Sequence, residues 1–227
     1  MLIYAWQYKF KYNASGSSQI AQEVKAEFEK VGLKPDLDTE RGECIHYVVI
    51  SNIHHIHSIR RPMPWEADHR YTGWDHGVFV PMLLINPAAD IPIIQVSVLS
   101  SEDVTQHYLM GRALHQLRSQ NVAIIGSGFA SCHNIRYLLS QSSPDFKARN
   151  AEWSRAVTAA AKLEDDAQRE KEFKSWRQWP NSYLNHPRGG AEHFLPLIVA
   201  AGAGGNQSAK EYADEFAGLQ MFSYYWD

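Results

Sequence analysis

Cysteine is scarce in this 227-residue chain, which contains only Cys44 and Cys132. Two cysteines cannot build the disulfide framework of a small secreted domain, so the scarcity favours a reducing compartment. Long apolar runs are also missing, which argues against a membrane-spanning helix. The first residues lack the basic start and apolar core of a secretory signal peptide. We therefore expect a cytoplasmic protein.

Neither sign of charge dominates the chain. The 22 basic and 25 acidic residues leave a formal net charge of -3. Without a basic excess, nothing favours nucleic acid or an anionic membrane surface as a partner. Hydrophobic residues make up 44% of the sequence, which is typical of a globular protein. The length suits one sizeable core, so we expect a single domain over residues 1–227.

Strand-like segments alternate with helix-like segments along most of the chain. Residues 91–98 and 121–125 are rich in branched apolar side chains and are predicted to be buried strands. A helix is predicted to begin near Ser101, with acidic residues in its first turn, and another covers about 133–141. Further helices are predicted over 15–32, across the charged stretch 146–179, and after Glu192. This alternation predicts an α/β layer structure with a largely buried sheet.

Residues 43–73 do not share this alternation. The segment holds five of the eleven histidines and shows no sustained helical period. Its tract His54-His55-Ile56-His57 could bind zinc as a histidine-rich sequence. No cysteine or acidic partner lies close to the tract, which favours an incidental cluster.

Three histidines elsewhere follow strand-like or turn-like segments. His76 precedes a glycine, His133 follows the glycine-rich turn at 126–128, and His193 stands at the start of a predicted helix. Neutral imidazole is the commonest metal ligand and also transfers protons near neutral pH. Each histidine alone could be structural. Together, from distant segments, they predict a metal or acid/base site.

The turn at 126–128 invites two other interpretations. It nearly matches the dinucleotide-binding fingerprint, but Ser131 stands where the third glycine belongs, and no acidic residue ends a strand about twenty positions later. Ser127 is not in a Gly-x-Ser-x-Gly elbow, which argues against a serine hydrolase. Both interpretations are disfavoured.

Four motifs carry a family resemblance. They are the sequences DHGVFVP at 75–81, ADIPIIQVS at 89–97, HPR at 186–188 and EHFLPL at 192–197. With these motifs the chain resembles the class III extradiol ring-cleavage dioxygenases, in the LigB-like branch that includes 4,5-DOPA extradiol dioxygenase. The resemblance covers residues 3–41 and 74–227.

The resemblance implies a fold, a metal and a reaction. Such enzymes hold iron(II) or zinc(II) at one end of a mixed sheet flanked by helices, and open a catechol-type ring with O2. It implies His133 as a metal ligand and His76 as the acid/base histidine. His193 is implied to be catalytic and to face the substrate, with Asp75 and Arg188 as substrate-binding and orienting residues.

Two departures from the family pattern shape what we expect. The family's first two strands, which end in metal-binding histidines, have no counterpart, so the resemblance implies an N-terminally truncated sheet. Residues 43–73 are then an insertion, for which we hypothesise a retained intron. A rival hypothesis is that residues 48–54 imitate a missing strand and offer His54 as a substitute ligand. The alternative function is a family member that binds a small aromatic or a partner without turnover.

Overall fold

A five-stranded mixed β-sheet lies at the centre of the protein in the computed structural model. The strands are β1 (Leu2–Ala5), β2 (Leu37–Asp38), β3 (Tyr47–Ser51), β4 (Ile93–Ser97) and β5 (Ala123–Ser127). Their order across the sheet is β1-β5-β3-β4-β2. The three inner strands are parallel, and the two edge strands run antiparallel to their neighbours. The structure describes residues 2–5, 26–32, 37–38, 47–51, 76–85, 93–99, 101–139 and 143–227.

Strand β3 comes from the segment that the sequence sets apart. Tyr47 pairs with Ile93 on one side and with Ala123 on the other, so β3 is the middle strand of the sheet. Its sequence, YVVIS, is rich in β-branched residues, which favour extended backbone. The rival hypothesis places a strand and a substitute ligand, His54, in residues 48–54. Residues 47–51 do form a strand, whereas His54 lies outside the described residues.

Helices and a hairpin complete the described parts of the chain. A helical segment at 26–30, α1, ends at Gly32, whose φ of 76° suits the predicted helix exit. The other helices are α2 (His76–Ile85), α3 (Val104–His115), α4 (Ile135–Leu139), α5 (Pro144–Ala161), α6 (Asp166–Lys174), α7 (Ser182–Asn185) and α8 (Leu195–Ala203). Short 3-10 turns cover Gln116–Gln120 and Trp176–Gln178, and the hairpin pairs β6 (Lys210–Phe216) with β7 (Leu219–Tyr225).

Capping side chains set two helix boundaries differently from the prediction. The helix predicted near Ser101 begins at Val104, because the carboxylate of Asp103 accepts the N–H of Gln106 at 2.9 Å. Glu102 therefore precedes the helix instead of lying in its first turn. The charged stretch 146–179 contains two helices, since Asp165 caps α6 in the same way.

Helix α8 occupies the interior and is buried along all nine residues. It packs against α3 and β5. Its last carbonyls cannot reach water and are bound by two arginines instead: Arg169 donates to Ala201 at 3.1 Å, and Arg118 donates to Ala203 at 3.0 Å. No helix in the described ranges is long and apolar enough to cross a membrane.

Candidate metal centre

Two histidines and a glutamate meet beyond the carboxyl end of β5. The imidazoles of His133 and His193 stack with centroids 3.4 Å apart and an interplanar angle of 24°. Glu192 Oε1 lies 3.8 Å from His133 Nδ1. One ligand atom from each of the three residues lies within 4.8 Å of the others, and all three are partly buried. Two of the three predicted histidines are therefore neighbours.

The donor chemistry of this trio fits a divalent transition metal. Two imidazoles with one carboxylate are the ligand types of non-haem iron(II) oxygenases, and imidazole also suits zinc. Ligands gathered beyond the end of parallel strands also agree with where open α/β sheets place their sites. The trio is therefore the candidate metal centre.

The backbone at His193 is fixed by close approach to β5. Phe129 N–H donates to the carbonyl of His193 at 2.9 Å. A Cβ at Gly128 would lie 2.3 Å from that same carbonyl oxygen, far inside van der Waals contact. Only glycine fits this crossing, so the motif that resembles a nucleotide fingerprint serves here to place His193.

The backbone at His133 is held by a network of asparagines. His133 N–H donates to the carbonyl of Asn185 at 2.9 Å, and Asn134 Nδ2 donates to Leu184 at 2.8 Å. Asn150 Nδ2 in turn donates to Asn185 Oδ1 at 2.8 Å. Asn150 and Asn185 are buried, so these bonds are shielded from water. They join α5 and α7 to the segment that carries His133.

The remaining predicted residues have different outcomes. His76 is the first residue of α2, which packs on β5 through Val78 and Met82. The side chain of His76 and the whole of Asp75 lie outside the described residues, so their place near the trio stays a prediction. Arg188 lies in the loop before Glu192, with its guanidinium 4.5 Å from the centre of the Tyr183 ring.

His186 is a fully buried histidine that the sequence analysis left without a role. Its Nε2–H donates to the carbonyl of Ala130 at 3.0 Å, and the ring lies among Trp153, Trp176 and Phe194. Burial lowers the pKa of His186 to about 3. The His-Pro pair directly after α7 is the sequence feature that could have drawn attention to His186.

The pH dependence of folding follows from His186 and a second buried histidine, His107. His107 accepts Leu99 N–H at Nε2 and donates to Asp103, and burial lowers its pKa. Because burial lowers both pKa values, each ring takes up a proton less readily in the folded protein than in the unfolded chain, where the pKa of histidine is near 6.5. We expect the free energy of unfolding to fall as the pH drops below about 6.5, with a contribution from His186 that approaches about 1.4 kcal/mol per pH unit and a contribution of the same sign from His107.

Urea unfolding at several pH values between 7 and 5 measures this slope. His107→Gln should reduce the slope, because one of the two rings with a lowered pKa is gone. A stability that stays constant over this window would contradict the lowered pKa of the two buried rings.

Comparison with known proteins gives the same family that the sequence motifs resemble. Residues 3–224 match the family described as the catalytic LigB subunit of aromatic ring-opening dioxygenase. The chain is 39% identical to dioxygenase tasH of Hapsidospora irregularis, over 96% of this chain and 60% of that protein. It is 33% identical to the 4,5-DOPA dioxygenase extradiol of Beta vulgaris, over 90% of this chain and 62% of that protein. The chain thus spans about 60% of the length of these relatives.

A solved structure shares the fold. It is an uncharacterized protein of Escherichia coli K12, 22% identical, with a TM-score of 0.61 over 98% of this chain and 96% of that chain. The mixed α/β architecture and the match over nearly all of the sequence agree with the expected family. The chain belongs to the LigB family of class III extradiol dioxygenases.

Proposed function

We propose that this chain is a metal-dependent extradiol dioxygenase that opens a catechol-type ring with O2, as 4,5-DOPA dioxygenases do. The observation that carries the proposal is the trio of His133, Glu192 and His193 in a chain of this family. Relatives at 30–33% identity that bear the name 4,5-DOPA dioxygenase extradiol support the substrate class.

In this proposal His133 and Glu192 hold the metal. The imidazole of His133 stacks on that of His193 with centroids 3.4 Å apart, and neutral imidazole can bind a metal or accept a proton. A bound divalent ion, iron(II) or zinc(II), would act as a Lewis acid that favours the ionised diol. Iron(II) can also exchange electrons with O2.

The other residues bind the substrate and move protons. His193 would face the catechol and act as a catalytic residue beside His76, because histidine accepts and returns protons near neutral pH. Asp75 would orient the ring of its neighbour His76. Arg188 would attract an anionic group on the substrate, since its guanidinium stays charged.

We further propose that residues 1–227 act as a single catalytic domain in which the 43–73 segment supplies the middle strand. The match to the family over residues 3–224 supports this. A retained intron is the competing hypothesis, and sequencing of the mature transcript decides between them.

Oxygen uptake tests the proposed function. The purified chain is loaded with iron(II) without air, mixed with a catechol and followed with an oxygen electrode. We expect uptake that depends on both iron and catechol, and none with resorcinol, whose hydroxyls are not adjacent. Catechol binding without oxygen consumption would reject the proposal in favour of a family member that binds an aromatic without turnover.

A further inference from the structure

Glu102, in the loop after β4, forms an ion pair with Arg177 of the 3-10 turn Trp176–Gln178 and accepts a hydrogen bond from the loop before the candidate metal centre. Glu102 Oε2 lies 3.3 Å from Arg177 Nη2, and Glu102 Oε1 accepts the backbone N–H of Ala191 at 3.2 Å. The side chains are only 30% and 23% exposed. This is more shielded than an ordinary surface pair, so solvent screens it less. Ala191 directly precedes Glu192 and His193.

Arg177 holds the other end of the same loop. Its Nη1 donates to the carbonyl of His186 at 2.5 Å, and its Nη2 to that of Pro187 at 3.4 Å. The guanidinium lies 3.8 Å from the centre of the Trp176 ring, which fixes its plane. The loop at 186–191 is thus bound by Arg177 where it begins and by Glu102 where it ends.

The same contacts extend to Arg188. The Tyr183 ring has the Arg177 guanidinium 4.9 Å from its centre and the Arg188 guanidinium 4.5 Å away. Arg177 and Arg188 therefore contact the same Tyr183 ring. The proposed anion-binding side chain and the proposed ligand Glu192 depend on one set of contacts.

The backbone at Glu102 is held in a conformation that glutamate rarely adopts. Its φ is 53°, in the left-handed region, where the Cβ of an L-residue comes too close to the backbone. A glycine would adopt this φ without that cost. A side chain kept at such a position indicates that its contacts matter, and strained residues of this kind cluster at functional sites.

We infer that Glu102, through Arg177 and Ala191, is a positioning residue that sets the 186–193 loop so that Glu192 and His193 stand beside His133. The part of the inference that concerns the metal centre rests on the proposed function. The part that concerns the position of the loop depends on neither metal nor turnover. Glu102 contacts Arg177 and Ala191 and acts on the trio through the loop.

Hydrogen exchange on the metal-free protein tests whether Glu102 holds the loop in place. In Glu102→Ala we expect the amide of Ala191 to exchange at least about ten times faster than in the unaltered chain, because its acceptor is gone. Glu102→Gln keeps an acceptor oxygen but loses the charge, so its exchange should be intermediate. Glu102→Gly removes the same contacts and suits the positive φ at this position, so it separates loss of the contacts from backbone strain.

A matched control comes from a second arginine–carboxylate pair. Glu170 binds Arg112 at 2.7 Å between α3 and α6, and its side chain is 13% exposed. Glu170→Gln removes this ion pair and the pair of Glu170 with Lys174, without touching the 186–191 loop. Exchange at Ala191 should be unchanged in this variant.

Metal binding tests whether the position of the loop affects the proposed metal centre. Titration with cobalt(II), followed by its visible absorption, should show about 10- to 100-fold weaker binding in Glu102→Ala and Glu102→Gly, and unchanged binding in Glu170→Gln. If the unaltered chain binds no cobalt, the proposed function fails while the exchange result still decides the role of Glu102. Unchanged exchange at Ala191 in both Glu102→Ala and Glu102→Gly would overturn the inference.

Discussion

His133→Ala should abolish metal binding and oxygen uptake together, whereas His193→Ala should keep most of the metal and lose turnover. The proposed roles differ in this way because His133 holds the ion and His193 faces the catechol. Loss of a histidine that transfers protons typically slows a reaction by about 10²–10⁴-fold. Metal content after purification and dialysis, measured beside iron-dependent oxygen uptake, separates the two effects. His76→Ala should resemble His193→Ala.

His115→Gln is the control for this series. His115 lies on α3 and bonds to the carbonyl of Ala203, away from the trio. It should alter neither metal content nor turnover by more than a small factor. Equal metal loss in His133→Ala and His193→Ala would contradict the division of roles and make His193 a third ligand with Glu192.

Gly128→Ala should damage the site and the fold at once. The added Cβ would meet the carbonyl oxygen of His193 at 2.3 Å, and the obstacle is backbone, which cannot rotate away. The segment carrying His193 must move, and the bond from Phe129 N–H to that carbonyl would break. We expect a loss of about 1–3 kcal/mol in the free energy of unfolding. Metal affinity and turnover should fall with it.

Gly190→Ala is the matched glycine for this experiment. A Cβ at Gly190 meets nothing closer than the carbonyl of Pro187 at 3.4 Å, and Gly190 is not among the residues with positive φ. Urea unfolding of the two variants should therefore differ clearly, with Gly190→Ala near the unaltered chain. Equal stability in both would show that Gly128 and His193 are not in the contact described.

Patterns of apolar residues predicted much of the interior. The branched run at 93–97 is a strand, and the all-apolar sequence after Glu192 is the buried helix α8. Both follow from burial, because Ile94 and Val96 of the strand and all nine residues of α8 are buried. The family motifs implied that His133 and His193 lie close together. Spacing along the chain could not predict this, because the two residues are sixty positions apart.

Other features have no local signature. Strand β6 is exposed along all seven residues and carries charges, so no alternation of apolar and polar side chains marks it, and the hairpin was not predicted. Strand β3 was set aside because its surroundings lack a helical period. The role of Glu102 depends on Arg177 and Ala191, 75 and 89 residues away, which only the fold brings near.

The middle strand has a consequence for how the protein folds. β3 pairs with β4 about 46 residues later and with β5 about 76 residues later, so neither partner is near it in the chain. Assembly of such non-local parallel pairs is slow. Before β3 has paired with both β4 and β5, its residues Val48-Val49-Ile50 can associate with other copies of the chain. Refolding yield should therefore decline as protein concentration rises.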